Sequence, residues 1–137
     1  MEQVGRRAWQ LFRVLIALIA LACIAQVFLA GRGVFGISSG DSLGDQSSFD
    51  PHRVLGNAIS VAAIIAFVLA VVIWQKGIVF ATFVLALLAA FVQRVTTSTA
   101  HPWVGGLHAL SGITILGISG SLAHRAWRRR GMAPPAA

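Results

Sequence analysis

Four long apolar segments restrict the folds open to this chain more than any other feature. They run approximately over residues 14–31, 54–74, 77–92 and 103–123. A helix needs about 17–25 residues to cross the hydrocarbon core of a bilayer, and a spanning segment must satisfy its own backbone hydrogen bonds. None of the segments alternates polar and apolar residues as barrel strands do. The sequence therefore predicts an all-α polytopic membrane protein, an antiparallel four-helix bundle within a single domain.

Composition excludes the soluble classes of protein. Hydrophobic residues make up 57% of the 137 residues and charged residues only 11%, whereas a soluble domain carries roughly a quarter charged residues. The net charge of +7 does not indicate a nucleic-acid partner, because the basic residues lie between apolar segments and not on the face of a soluble domain. We expect the lipid bilayer to be the partner.

The distribution of basic residues predicts the orientation. Lysine and arginine accumulate on the cytoplasmic side of membrane proteins. With the N-terminus inside, the cytoplasmic flanks hold Arg6, Arg7, Arg13, Lys76, Arg125, Arg128, Arg129 and Arg130, and the outer side holds Arg32, Arg53 and Arg94. We therefore expect a multi-pass protein of the plasma membrane with both termini in the cytoplasm.

The connections follow from this orientation. A tight turn over residues 75–77 makes the second and third helices antiparallel neighbours. Residues 32–50, rich in glycine and serine, predict an outer loop because such residues favour turns. Residues 131–137 are expected to form a disordered tail.

Common catalytic chemistry is missing from the sequence. No acidic residue lies within a span, which argues against a proton- or cation-coupled transporter. Cys23 is the single cysteine, so neither an intrachain disulfide nor a thiolate cluster can form. Phosphate-loop, serine-triad and zinc-protease motifs are also absent. We predict no catalytic residue, and a non-enzymatic role is favoured.

Two histidines stand out. His52 begins the second helix, and His108 lies about 9 Å inside the fourth, where an ionisable group indicates a functional site. Each has a glycine four residues later, Gly56 and Gly112, on the same helical face. His101 is the rival to either histidine as a ligand, and His124 is interpreted as a solvated flank.

This pattern suits a haem. Neutral histidine is a common axial ligand of haem iron, and small residues one turn away leave room for the macrocycle. Arg53 and Arg94 could pair with the propionates through charge-assisted hydrogen bonds. The prediction is one haem b near the outer leaflet, with His52 and His108 as metal ligands and Gly56, Gly112, Arg53 and Arg94 contacting the cofactor.

A packing interpretation stays open. Stripes of small residues are ordinary helix contacts in membranes, and a buried histidine can hydrogen-bond across helices. In either case, the second and fourth helices are expected to touch around Gly56 and Gly112. His52 is also expected to lie about 7 Å shallower than His108, so tilt or a projecting second helix must absorb the offset.

The chain resembles a family of small uncharacterised four-helix membrane proteins common in actinobacteria. The matching features are Gln26-Val-Phe-Leu-Ala-Gly31 with Val34-Phe35, His52-Arg53-Val-Leu-Gly56, Gln93, and Leu107-His108, within approximately residues 10–125. This resemblance implies the four-helix topology.

A weaker resemblance is to one four-helix half of haem A synthase, which carries a His-Arg at the outer start of its second helix and a histidine in its fourth. His52 and His108 fit those positions, which implies that they ligate haem. The catalytic glutamate of that family precedes its His-Arg by three residues, where Phe49 stands in this chain, and its paired loop cysteines are missing. The resemblance implies carrying haem more readily than modifying it.

Three functions remain after this reasoning. The preferred one is a b-type cytochrome-like protein that passes single electrons to a quinone or a protein partner. The alternative is a cofactor-free accessory subunit of a larger respiratory or photosynthetic complex. The third is a haem-handling enzyme or chaperone.

Overall fold

The computed structural model describes residues 2–38, 47–97 and 102–128, and helices account for nearly all of them. No strand occurs in these ranges, which confirms the all-α class. The elements are α1 (Glu2–Ser38), a 3₁₀ turn (Ser47–Phe49), α2 (Asp50–Ile73), α3 (Lys76–Leu87), a π-helical segment (Leu88–Val92), α4 (Gln93–Thr97) and α5 (Pro102–Arg128). The segments from Lys76 to Thr97 run on without a break and form the third span.

Four of the helical stretches are long and apolar enough to cross a membrane. They are Gln3–Gly36, Ser47–Ile73, Lys76–Thr96 and Trp103–Arg128. Large apolar side chains cover the outside of the bundle, including Leu18, Phe28, Ile65 and Phe80. An exposed apolar surface of this kind is what a lipid environment requires. The predicted multi-pass membrane bundle is confirmed at this level.

Sequence neighbours pack side by side around the bundle. Helix α1 contacts α2 and α5, and the third span contacts α2 and α5. Within the described residues, the backbones of α2 and α5 make no contact, so these helices lie on a diagonal. The prediction that the second and fourth helices touch around Gly56 and Gly112 is therefore wrong, because an antiparallel bundle places alternate helices opposite each other.

The first helix is longer than the apolar segment that predicted it. It continues to Ser38, so the first part of the predicted loop at residues 32–50 is helical. Gly33 is buried beneath the Phe49 ring, which occupies the space that a side chain at position 33 would need. This close approach seats the start of α2 against the end of α1. Residues 39–46 of the loop and the tail at 131–137 lie outside the described residues.

A tight turn joins α2 and α3, as the sequence predicts. Trp74 adopts a left-handed conformation with φ 54° and ψ 35°, and its amide donates to the carbonyls of Ala70 (2.9 Å) and Val71 (3.1 Å). These bonds satisfy orphan carbonyls at the helix end. The turn lies at the end of the bundle where α1 begins and α5 ends, named the terminal end below.

The core pairs bulky residues with small ones. Phe12, Ile16 and Ile19 of α1 are fully buried or nearly so, and on α2 the buried residues include Ala63, Ala66 and Ala70. Small residues allow membrane helices to approach closely. This packing joins α1 and α2 along the bundle. The end of the bundle opposite the terminal end, where α2 begins, is named the histidine end below.

Candidate histidine site

His52 and His108 meet across the diagonal of the bundle. Their ring centroids are 6.2 Å apart, with the ring planes tilted by 58°. Both side chains are half-buried. The difference in depth that the sequence predicts between His52 and His108 therefore does not keep their rings apart. The two histidines form the contact between α2 and α5 that the backbones do not make.

The Nδ1 atom of His52 is held by the first helix. It lies 3.3 Å from the backbone oxygen of Gln26. A carbonyl oxygen can only accept, so Nδ1 carries the proton and donates it. In a neutral ring this tautomer leaves the Nε2 lone pair available.

The Nδ1 atom of His108 is held in the same way by the third span. It lies 3.2 Å from Thr96 Oγ1, and that hydroxyl donates its proton to the backbone oxygen of Val92 (2.8 Å) or Gln93 (3.1 Å). Thr96 Oγ1 is then an acceptor towards the ring, so Nδ1 of His108 is again the donor. Metal-binding histidines are typically oriented by such a bond on the other ring nitrogen.

Two glutamines repeat one arrangement in the two halves of the chain. Gln26 Nε2 donates to the backbone oxygen of His52 at 3.0 Å, and Gln93 Nε2 donates to the backbone oxygen of His108 at 3.2 Å. Gln93 also donates to Ser111 Oγ at 2.8 Å. Each amide thus ties the helix before a histidine to the helix that carries it.

The same amides lie against the two glycines. A Cβ atom at Gly56 would lie 2.9 Å from Gln26 Nε2, and a Cβ atom at Gly112 would lie 3.6 Å from Gln93 Nε2. The glycines therefore admit glutamine side chains from neighbouring helices. Their predicted role in making room for a macrocycle stays a prediction.

The π-helical segment places Gln93 and Thr96 towards α5. A π turn carries more residues than an α turn and rotates the side chains that follow it, and such segments are frequent at functional sites. Ser60 Oγ lies 2.7 Å from the Ala89 oxygen inside the segment and 3.0 Å from the Gly56 oxygen. Its single proton is shared between the two carbonyls, which links α2 to the third span below the histidines.

The glutamine and threonine roles were missed by reasoning from the sequence. In the sequence, Gln26 and Gln93 stand out only as part of the resemblance to a family of small membrane proteins. A signal was present, because an amide inside an apolar span must find a hydrogen-bond partner on a neighbouring helix. The distances above identify that partner in each case.

The arginines at the histidine end are exposed. Arg53 Nη1 pairs with Asp50 Oδ1 at 3.0 Å, and Arg94 lies exposed on α4. Their predicted pairing with propionates stays a prediction. His101 lies outside the described residues, and His124 is exposed in the last turns of α5, away from the site.

One buried acceptor at the site has no partner. Gln26 Oε1 is buried and forms no hydrogen bond within the described residues. Among those residues, His, Cys, Asp and Glu nowhere gather in groups of three or more, so the described part of the chain offers no donor set for a structural zinc ion. The side chains at the site that could ligate a metal or a cofactor are its two imidazoles.

Comparison with known proteins adds no assignment. No family model matches the chain, and no curated protein and no solved structure matches it.

Proposed function

We propose that this is a b-type cytochrome-like membrane protein that holds one haem b between His52 and His108 for single-electron transfer. The observation that supports the proposal is the contact between the two histidine rings, whose centroids are 6.2 Å apart. Each ring is oriented through Nδ1 by another helix. The resemblance to one half of haem A synthase points to the same two residues.

The separation of the rings suits one metal atom. Imidazole–metal bonds are about 2.0–2.1 Å long in zinc sites, so two imidazoles on one metal of that size have nitrogens about 4 Å apart. Each ring centre lies behind its nitrogen, which makes 6.2 Å between centroids a compatible distance. The tilt of 58° between the planes does not exclude a shared metal, since an imidazole can rotate about its bond to the metal. The spacing of the two rings therefore supports the proposal that His52 and His108 would hold one metal atom between them.

The residues around the rings have defined tasks. A bound haem would supply a one-electron iron couple. The backbone oxygen of Gln26 accepts the Nδ1 proton of His52, and Thr96 Oγ1 accepts that of His108, so these two acceptors orient the rings. The flexible amides of Gln26 and Gln93 must move from the glycine faces to admit a macrocycle. Arg53 and Arg94 would then contact the propionates, and a quinone or a larger membrane complex would exchange the electron.

An absorption spectrum tests the proposal directly. Protein purified from cells supplied with a haem precursor should show a Soret band and sharp α and β bands on reduction. His52→Ala or His108→Ala should abolish this low-spin spectrum or make it high-spin, because the iron loses one strong-field nitrogen. His124→Ala, an exposed change at the other end of α5, is the matched control and should have no effect.

Two results would refute this assignment. A colourless wild-type protein at full expression would refute haem binding. If His101→Ala removes the haem and His52→Ala does not, then the pair is wrong although the cofactor is right.

A cofactor-free accessory subunit is the second candidate. It is favoured by the hydrogen bonds that Gln93 Nε2 donates to the His108 backbone oxygen and to Ser111 Oγ. It is also favoured because the side-chain amides of Gln26 and Gln93 occupy the space beside the two glycines. A colourless protein that loses stability when Gln26 or Gln93 is replaced by leucine would support it.

We also propose a plasma-membrane location with both termini cytoplasmic, supported by the bias of basic residues. In a Cys23→Ala background, Ser39→Cys should react from outside with an impermeant thiol reagent, and Ala136→Cys should not. If only Ala136→Cys reacts from outside, the topology is the inverse of the one proposed.

A further inference from the structure

A cavity lies at the terminal end of the bundle, away from the histidines. Its volume is about 170 Å³, and it opens between α1, the α2–α3 turn and α5. Trp9, Gln75, Gly77 and Arg125 line it together with apolar side chains from α3 and α5. A single water needs about 10–15 Å³ of such space, so the cavity has room for a much larger group with a polar part and an apolar part.

The surroundings of the cavity are strongly basic. The helices bring together Arg6, Arg7, Arg13, Lys76, Arg125 and Arg128 at this end. Of the four acidic residues of the sequence, Asp50 begins α2 at the histidine end, whereas Glu2 begins α1 at the terminal end. The six basic residues named above outnumber that one carboxylate, so the described part of this end carries a positive net charge. Charges of one sign around a cleft with apolar walls concentrate the field and attract anions.

Arg13 and Arg125 differ in their contacts with the rest of the bundle. The Arg13 guanidinium carbon lies 5.1 Å over the Trp127 ring, and Trp127 Nε1 donates to the Arg13 oxygen at 3.3 Å. Arg13 therefore joins α1 to α5. Arg125 faces the cavity and forms no ion pair or hydrogen bond within the described part of the chain. Its planar guanidinium is suited to bidentate binding of a phosphate.

We propose that this cavity binds a phosphate group, with Arg125 as the cationic anchor and Gln75 and the Trp9 indole as further hydrogen-bond donors. The apolar wall suits the glycerol and first acyl carbons of a phospholipid, and basic pockets between membrane helices bind anionic headgroups. Free phosphate offers the same group without the apolar part. The proposal does not depend on the histidine site.

Titration of the purified full chain in a neutral detergent tests the proposal. The melting temperature, followed by tryptophan fluorescence, is measured against dioleoyl phosphatidylglycerol, dioleoyl phosphatidylcholine and inorganic phosphate in turn. We expect a saturable rise with phosphatidylglycerol. Arg125→Gln should raise the apparent dissociation constant for phosphatidylglycerol about tenfold, as loss of a charge-assisted hydrogen bond does. Arg128→Gln makes the same change on another residue of the same helix that does not line the cavity, and it should raise this constant less than threefold.

The outcomes separate the source of the phosphate. Saturable binding of phosphatidylglycerol alone identifies a lipid headgroup, and equal sensitivity to inorganic phosphate identifies a free anion. Equal weakening by Arg125→Gln and Arg128→Gln would show general attraction to the basic end and would overturn the site. The absence of any saturable rise would also overturn it.

A second variant keeps the test valid if Arg125→Gln does not fold. Nothing lies within 4 Å of a Cβ atom built at Gly77 or at Gly117, so a side chain at either position starts in open space. Gly77→Leu should reduce phosphatidylglycerol binding by filling the cavity that Gly77 lines. Gly117→Leu, which does not line the cavity, should leave the binding unchanged.

Discussion

Alanine at Gly56 and at Gly112 should change stability by different amounts, although both glycines lie in helices next to a glutamine. A Cβ atom at position 56 would lie 2.9 Å from Gln26 Nε2, so the amide must move. At position 112 the distance to Gln93 Nε2 is 3.6 Å, an ordinary van der Waals contact. The two substitutions therefore differ mainly in whether a hydrogen bond survives.

The expected energies follow from these two distances. Alanine in place of a helical glycine stabilises by about 0.5–1 kcal/mol. Displacing Gln26 breaks its hydrogen bond to the His52 oxygen, which contributes about 0.5–1.5 kcal/mol. Gly112→Ala should therefore raise the free energy of unfolding by about 0.5–1 kcal/mol, and Gly56→Ala should leave it close to the wild-type value because gain and loss are similar.

Unfolding in detergent, followed by circular dichroism, measures both values. The control is the same substitution in a Gln26→Ala background, where Gly56→Ala has no bond to break and should stabilise as Gly112→Ala does. If Gly56→Ala stabilises the wild-type background as strongly as Gly112→Ala, then Gln26 does not lie against α2 and the reasoning fails.

Three other contacts give further predictions. Ser60→Ala should lower the free energy of unfolding by about 1 kcal/mol, because the Ala89 oxygen in the π-helical segment loses a donor; an unchanged denaturation midpoint would contradict this contact. Thr96→Val should destabilise by a similar amount through loss of the acceptor for His108 Nδ1, whereas Thr96→Ser should behave as wild type in the same assay. Cys23, 6% exposed, should react with a maleimide slowly in the folded protein and rapidly in sodium dodecyl sulfate; equal rates would place it on the surface.

Several features of the site were accessible from the sequence and others were not. The choice of His52 and His108 rested on a short local repeat, and the structure brings these two rings together. The expected contact between Gly56 and Gly112 was wrong, because periodicity identifies the small face of a helix and not the helix that faces it. The ends of α1 were also misjudged, since a helix can continue beyond its apolar segment into residues such as Gly33 and Gly36.

The four helices that are long and apolar enough to span a membrane follow from the sequence alone. Apolar length and the need for internal backbone hydrogen bonds are local properties, and they leave a spanning segment no other regular form once barrel strands are excluded. The diagonal arrangement of α2 and α5, and the hydrogen bonds from Gln26 and Gln93 to the backbone oxygens of the histidines, emerge only from the packing of the helices. These contacts join residues distant in the sequence, and they depend on how the helices pack and on the rotation introduced at residues Leu88–Val92, which no local pattern specifies.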